Sequence, residues 1–451
     1  MTQERNNTID ILRGIAIAGM ILCANIGWHA DLPAWMFHAQ TPPPDYVFNP
    51  EVRGITWVDL VFPFFLFSMG AAFPFALGKR LDKGEKLWLV TGRSAIRWVS
   101  LVIFSYILGN AHSIPAPESG FRWDYLLKTG VWASLFLIFA KFPCIDKQKG
   151  LWLKAGGILL MSAIAFAVNS LPGADLSFAH RDIIILVLAY VSFLGGLIWI
   201  LTRKSLTARW IVFAVVAAAK ISGITAKLDF DFLQYLMIAI PGSIAGDLIL
   251  SDRGAGKHGQ SGKDEGKPAI FNTIAAIIAL AAVVFQLWAF FTRHIILDMV
   301  VTAVCMTSFV LLSPKGSQKW SSLTITGFIL LLGGILFDPI DGGIRKDYCN
   351  TSYLLATSGM AAITTGLLWF LEKTCNMKMK FIAKCGQNPM LAYTVTPFLI
   401  LPVLYMTGLM PFLDSLTYGS PFFGVMRGVV VTLLMAIITV FFTDKKVFWK
   451  N

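Results

Sequence analysis

Apolar runs of nearly constant length recur along this chain, separated by short polar segments. They lie near 9–28, 57–78, 95–112, 123–140, 151–170, 182–201, 208–222, 232–250, 269–291, 295–312, 321–338, 353–371, 388–408 and 422–442, with 208–222 the weakest. Roughly 20 mainly apolar residues are needed to cross the hydrocarbon core as a helix. Open strands would leave backbone groups unpaired in lipid, so these runs read as helices. The pattern predicts an all-α polytopic membrane protein, a helical bundle of about 12–14 transmembrane helices.

The polar segments carry the charge, and they carry it unevenly. With the N-terminus in the cytoplasm, the segments 79–97, 141–154, 203–209, 253–267, 315–319, 373–384 and 445–450 fall on the cytoplasmic side. Together with Arg5 they hold about 27 of the 38 Lys and Arg, against about eight on the far side. This is the asymmetry of the positive-inside rule, and adding or dropping one span would invert half of it. Both termini are therefore expected in the cytoplasm. The first run is interrupted by Asp10 and Arg13 and lacks a small-residue cleavage site, so it reads as an uncleaved span.

Composition agrees with this picture. Of the 451 residues 56% are hydrophobic and 14% charged, too few charges to cover a water-soluble surface. The net charge of +12 is dispersed between apolar runs rather than gathered on one face, which excludes a nucleic-acid interface. The six cysteines form no disulfide framework. No metal-ligand spacing, P-loop or dinucleotide fingerprint is present. The Gly- and Lys-rich stretch 251–268 reads as a flexible cytoplasmic linker. It divides the chain into an N-terminal half, 1–250, and a C-terminal half, 269–451, without a clear internal repeat.

Charges inside spans cost about 2.5–3.5 kcal/mol each on insertion scales, which makes each a candidate for function. Asp10 and Arg13 are three apart on the first helix and share a face. They form either an internal ion pair or a site where Arg13 meets an anionic ligand. Asn25 lies about three turns further along, near the same face. Thr56 and Asp59 have the form of a capping box opening the second helix. Lys128, Asp298 and Arg427 are further charges within spans.

The segment between the first two helices, "AWMFHAQTPPPDY" (34–46), holds a histidine between an apolar tetrad and a proline triplet. The stiff prolines would keep His38 against the membrane surface rather than let it float. An imidazole held there suits general acid/base work. His29 and His112 also lie at exterior ends of early helices, whereas His180 and His294 are isolated at span edges and His258 is in the linker.

The ordered series "TIDILRGIAIAGMILCANIG", a histidine loop and "GITWVDLVFPFFLFSMG" resembles the heparan-α-glucosaminide N-acetyltransferase family and its bacterial relatives. "DGGIRKDYCNTSYLLATSGMAAI" and "CGQNPMLAY" are similar to the closing segments of that family. The likeness is dense over 9–78, patchy over 93–135 and 325–395, and not evident over 145–320. It implies an acyltransferase of the bacterial inner membrane that moves an acetyl group from cytosolic acetyl-CoA to the amine of a glucosamine-type sugar on the periplasmic side, with a homodimer admitted. His38 and Asn25 would then form the transfer site with Asp59 as positioning carboxylate, and Asn388 would contribute from the last part of the bundle.

One departure stands out: "QTPPPDYVFNPEVR" intervenes between His38-Ala39 and Gly54. Without that insertion Asn49 would align with the histidine, and His29-Ala30 is a second His-Ala pair. Insertions in exterior loops are cheap, which favours His38.

On this reading Arg13, Arg93 and Arg97 are candidates for the phosphates of CoA, because phosphates favour forked guanidinium donors. Asn25 would donate to the developing oxyanion and His38 would take the proton of the amine. Asp341, Arg345 and Tyr348, in "DPIDGGIRKDY", would line the sugar together with His29. Two other readings remain: a secondary transporter of an amino sugar or other small solute, and a polysaccharide O-acyltransferase, whose family the first helix also resembles. That family carries a histidine roughly where Asn25 stands.

Overall fold

A computed structural model of the chain describes residues 7–28, 30–118, 120–143, 145–227, 231–255, 269–313 and 319–449. His29, Cys144 and most of the linker, with His258, lie outside the described residues. Each of the fourteen apolar runs is a helix. In chain order they are α1 Thr8–Asn25, α2 Trp57–Asp82, α3 Leu87–His112, α4 Trp123–Phe139, α5 Lys147–Asn169, α6 Ile183–Thr202, α7 Leu206–Ile221, α8 Phe232–Asp252, α9 Ile270–Thr292, α10 Ile295–Leu312, α11 Lys319–Phe337, α12 Thr351–Thr374, α13 Pro389–Met406 and α14 Pro421–Asp444. Among the described residues twelve are long and apolar enough to cross a membrane; α4 and α7 are shorter. The protein is an all-α integral membrane protein.

Contacts divide the chain into two units that do not follow chain order. One comprises residues up to Ala16, Pro33–Ala95 and Tyr190–Lys380; the other comprises Ile17–Leu32, Ile96–Ala189 and Phe381–Asn451. The helices on both sides of the linker, α8 and α9, belong to the same unit.

In the first unit α12 is the enclosed element, with 83% of its apolar window buried, against 17% for the lipid-facing α10. Small and hydroxylated residues allow this enclosure. Thr357 and Thr365 return their hydroxyls to the carbonyls four residues back, at 2.7 and 2.6 Å, so no polar atom of theirs meets a neighbour unpaired. α2 packs against α8 and α12. The α2–α8 crossing is a backbone contact: a Cβ on Gly242 or Gly246 would lie 2.2 Å from Phe67 O or Ala71 O. That four-residue spacing of glycines is the means by which membrane helices approach closely without a hydrophobic driving force.

The two ends of this unit sort by the expected sidedness. At one end Thr8 Oγ1 donates to Glu372 (2.6 Å), Lys373 pairs with Asp252 (3.0 Å) and Arg203 with Asp82 (2.9 Å). All of these lie in or beside segments assigned to the basic side. At the other end the segments 38–56, 290–293 and 338–348 meet one another.

In the second unit α4 packs on α5, and the two-residue strands β1 (Ala140–Lys141) and β2 (Phe448–Trp449) pair antiparallel.

Candidate active site

Asp59 is fully buried in the 3-10 turn Trp57–Leu60 that opens α2. The expected capping box is present. Thr56 is extended, its amide donates to Asp59 Oδ2 (2.9 Å), and its Oγ1 accepts from Val58 N (3.3 Å). The cap uses one carboxylate oxygen. The other, Oδ1, lies 2.7 Å from His38 Nδ1. Helix capping and histidine positioning are therefore done by the two oxygens of one side chain.

A short base holds His38 in place. Phe37 is buried beneath it with Tyr46 edge-on at 5.0 Å, Thr56 Oγ1 donates to Phe37 O (2.7 Å), and Ala39 N donates to Asp59 Oδ2 (3.4 Å). The inserted residues leave this base and return to it. Buried Gln40 donates through Nε2 to Val52 O (3.1 Å) and Gly54 O (3.3 Å), and Asn49 N donates to Gln40 O (2.8 Å). The segment between Gln40 and Gly54 closes on itself. Asn49 is in the excursion, where its side chain accepts from Glu51 N (3.0 Å).

The segment between α11 and α12 completes the site. Asp338 accepts a forked pair of bonds from Arg293 (2.9 and 2.7 Å) and the amide of Ile344 (2.6 Å). Asn350 caps α12 while donating to Gly343 O (2.6 Å). Gly343, at φ +100°, has Arg53 Cδ where a Cβ would stand, 2.7 Å away. Gly54 N then donates to Ile344 O (2.8 Å), which joins the two loops. Two residues on, Lys346 Nζ lies 3.1 Å from His38 Nδ1, 3.4 Å from Nε2 and 3.7 Å from Asp59 Oδ1. Being close to both ring nitrogens, it sits over the edge of the imidazole that joins them. From α12, the Tyr353 hydroxyl donates to Asp59 O (2.8 Å).

A carboxylate can only accept, so the bond to Asp59 places a proton on His38 Nδ1 and leaves the lone pair of a neutral ring on Nε2. The His38 side chain is 36% exposed and that of Lys346 27%, whereas Asp59 has no exposed surface. The arrangement is an oriented base with a buried carboxylate behind it and a cation beside it, open to the outside.

The remaining expected site residues separate. Arg345 and Tyr348 are in the Lys346 loop, but both grip Glu51 of the other loop, and the Arg345 guanidinium lies 4.6 Å from the Tyr348 ring centre. The Tyr348 hydroxyl on Glu51, with Arg345 beside it, holds that carboxyl below its ordinary range. Asp341 accepts from Ser352 N (2.6 Å) at the start of α12, which makes it a loop anchor. Arg13 lies 3.7 Å from Asp10, an internal ion pair, and donates to Ser68 O (3.1 Å). Arg93 pairs with Glu85, and Arg97 is an exposed residue of the other unit.

Two further expected residues have backbone partners. Asn25 is in the second unit, where its side-chain nitrogen donates back to Ile21 O (2.8 Å) and its backbone carbonyl accepts from Arg427 (2.6 Å). It is turned onto its own helix. Asn388 is also in the second unit and uses both amide atoms on the C-terminal strand, donating to Val447 O (3.0 Å) and accepting from Trp449 N (3.1 Å).

Lys346, Tyr353 and Glu51 escaped the sequence reading. Lys346 stood inside a segment already singled out, and its signal was a cation on the side where cations are scarce. Tyr353 and Glu51 carried no signal apart from the fold.

No curated protein matches the chain. A family model described as a domain of unknown function (DUF5009) matches residues 5–249. The match includes the His38 loop and Asp59, and it spans more than half of the 451 residues. The chain belongs to this family, DUF5009.

Proposed function

We propose that His38 and Asp59 form the transfer centre of a transmembrane acetyltransferase. It would carry an acetyl group from cytosolic acetyl-CoA to the amine of a glucosamine-type sugar on the periplasmic face of a bacterial inner membrane. The observation that carries the reading is the 2.7 Å bond between a fully buried carboxylate and a histidine whose own side chain is 36% exposed. A solvated loop histidine has no need of such a partner, whereas a general base does.

The donor supplies a thioester carbonyl. His38 Nε2 takes the proton from the attacking amine as the C–N bond forms, then returns it to the sulfur as the C–S bond breaks. Asp59 holds the ring in the tautomer that allows this and favours the imidazolium in between. Arg93, exposed on the basic side and paired there with Glu85, is a candidate for the phosphates of the donor.

The test uses the purified full chain in detergent with radiolabelled acetyl-CoA and glucosamine. Acetylated sugar from the wild type and none from His38→Ala supports the enzyme. Sugar uptake by proteoliposomes lacking acetyl-CoA, with no acetylation, would replace it with a transporter.

A further inference from the structure

The proposed transfer passes through a tetrahedral adduct whose oxygen bears a full negative charge. Such charge needs a donor fixed in place beforehand, in a setting drier than water. The residue expected to supply it, Asn25, has its amide nitrogen on Ile21 O within its own helix. Another group stands at the site. Lys346 Nζ is 3.4 Å from His38 Nε2, the atom that would receive the proton, and its side chain is largely buried.

We infer that Lys346 is the oxyanion-stabilising residue of this site, an inference that rests on the acyl-transfer reading above. An amine hydrogen-bonded to Nε2 brings its nitrogen about 3 Å from that atom, and the carbonyl it attacks must then lie within a further bond or two. A carbonyl oxygen there is within reach of the Lys346 ammonium. As the amine nitrogen bonds to the carbonyl carbon, the π pair moves to the oxygen, where Lys346 donates a hydrogen bond and supplies positive charge. His38 holds the amine proton meanwhile. When the pair returns, the C–S bond breaks and His38 delivers its proton to the thiolate. Lys346 begins and ends as an ammonium, so atoms and charge balance.

The local charges fit this assignment. Asp59 Oδ1 is 3.7 Å from the ammonium, within ion-pair range but longer than a hydrogen bond. It steadies the lysine without taking over its hydrogens. Arg345, the neighbouring cation, is drawn away to Glu51, so that Lys346 is the residue of the pair turned to the histidine. The placement is enforced from both sides: Gly54 N on Ile344 O sets the loop register, and Asn350 on Gly343 O fixes the turn before it.

The test compares wild type, Lys346→Met, Lys346→Arg, Lys346→Cys and His38→Ala, as purified full chain, in kcat and in KM for acetyl-CoA. Lys346→Met is expected to lower kcat on the order of 10²–10³-fold with KM little changed, the signature of a contact made in the transition state. Lys346→Cys is expected to be equally impaired. Treatment with 2-bromoethylamine, which rebuilds an ammonium at that position, should restore most of the rate, while treated wild type controls for the native cysteines. Lys346→Arg should retain an intermediate rate. A wild-type kcat in Lys346→Met, or a Lys346→Cys protein that stays impaired after aminoethylation, would overturn the inference. The outcomes separate it from the reading beneath it: an inactive His38→Ala beside a fully active Lys346→Met removes only the lysine's role, whereas an active His38→Ala removes the site.

Discussion

The backbone amide of Gly54 donates to the carbonyl of Ile344 across 2.8 Å, and this bond joins two loops from distant parts of the chain. Its effect is one of register. Gly54 stands five residues before Asp59 and Ile344 two before Lys346, so fixing one pair of backbone atoms brings carboxylate, imidazole and ammonium together. The first prediction concerns the carboxylate. Asp59→Asn keeps the shape of the side chain but lets an amide face His38 Nδ1, which favours the wrong tautomer. Acetyl transfer should fall on the order of 10²–10⁴-fold. The purified protein should still elute as a folded species, and a rate near wild type would show that the pair has only a structural role.

Tyr353 supports the site from behind by donating to Asp59 O. Tyr353→Phe leaves a buried carbonyl short of that bond at a cost of about 1–3 kcal/mol. Thermal unfolding in detergent should shift downward, with kcat changed far less than in Asp59→Asn. The reverse pattern, unchanged melting with lost turnover, would place Tyr353 in the chemistry.

Gly343 is predicted to be intolerant of a side chain. At φ +100°, with Arg53 Cδ 2.7 Å from the position of a Cβ, Gly343→Ala must displace either the Arg53 side chain or the turn that carries Lys346. The cost is roughly 1–3 kcal/mol in backbone strain. Activity should fall further than in an equally destabilised variant remote from the loop, measured against a matched thermal shift.

The Glu51 clamp gives a pH dependence whose sign follows from its partners. Tyr348, above all, and Arg345 hold the carboxyl below its ordinary value of 4.5. A depressed carboxylate stabilises the native contact above the unfolded value and loses that contribution as pH falls through the folded one. Protection from hydrogen exchange over residues 41–53, taken relative to the intrinsic rate at each pH, should therefore be high at neutral pH and fall on acidification below about pH 4.5. Glu51→Gln should exchange faster at neutral pH and lose most of the acid response. An unchanged profile in that variant would mean that the loop is held by the Gln40 bonds alone.

Reading the chain by itself located the fourteen long helices, because transfer of apolar residues into lipid is additive and local, and each span announces itself without reference to any other. Each run overlaps its helix, although the third helix begins eight residues earlier, and the short helices Lys380–Gln387 and Leu409–Thr417 gave no such signal. The charge asymmetry sorted the loops into sets that meet at the same ends of the first unit. Asp59 was legible as a cap for the same reason, since a capping box spans four residues. One local signal passed unused: the Gly242–Gly246 spacing that lets α8 reach the backbone of α2.

What required the tertiary structure was the choice among polar residues. Asn25, Asn388 and Asp341 have the right chemistry for a site, but hydrogen bonds to backbone atoms occupy them, and a sequence does not say which acceptor lies within 3 Å. His38 and Asp59 are 21 residues apart and Lys346 is 308 beyond His38. The proline-rich segment behind His38 is a closed excursion, tied back through Gln40 to Val52 and Gly54. Lipid partition dictated the helices one at a time, and only the packing of loops with unrelated sequences decided which carboxylate, imidazole and ammonium would meet.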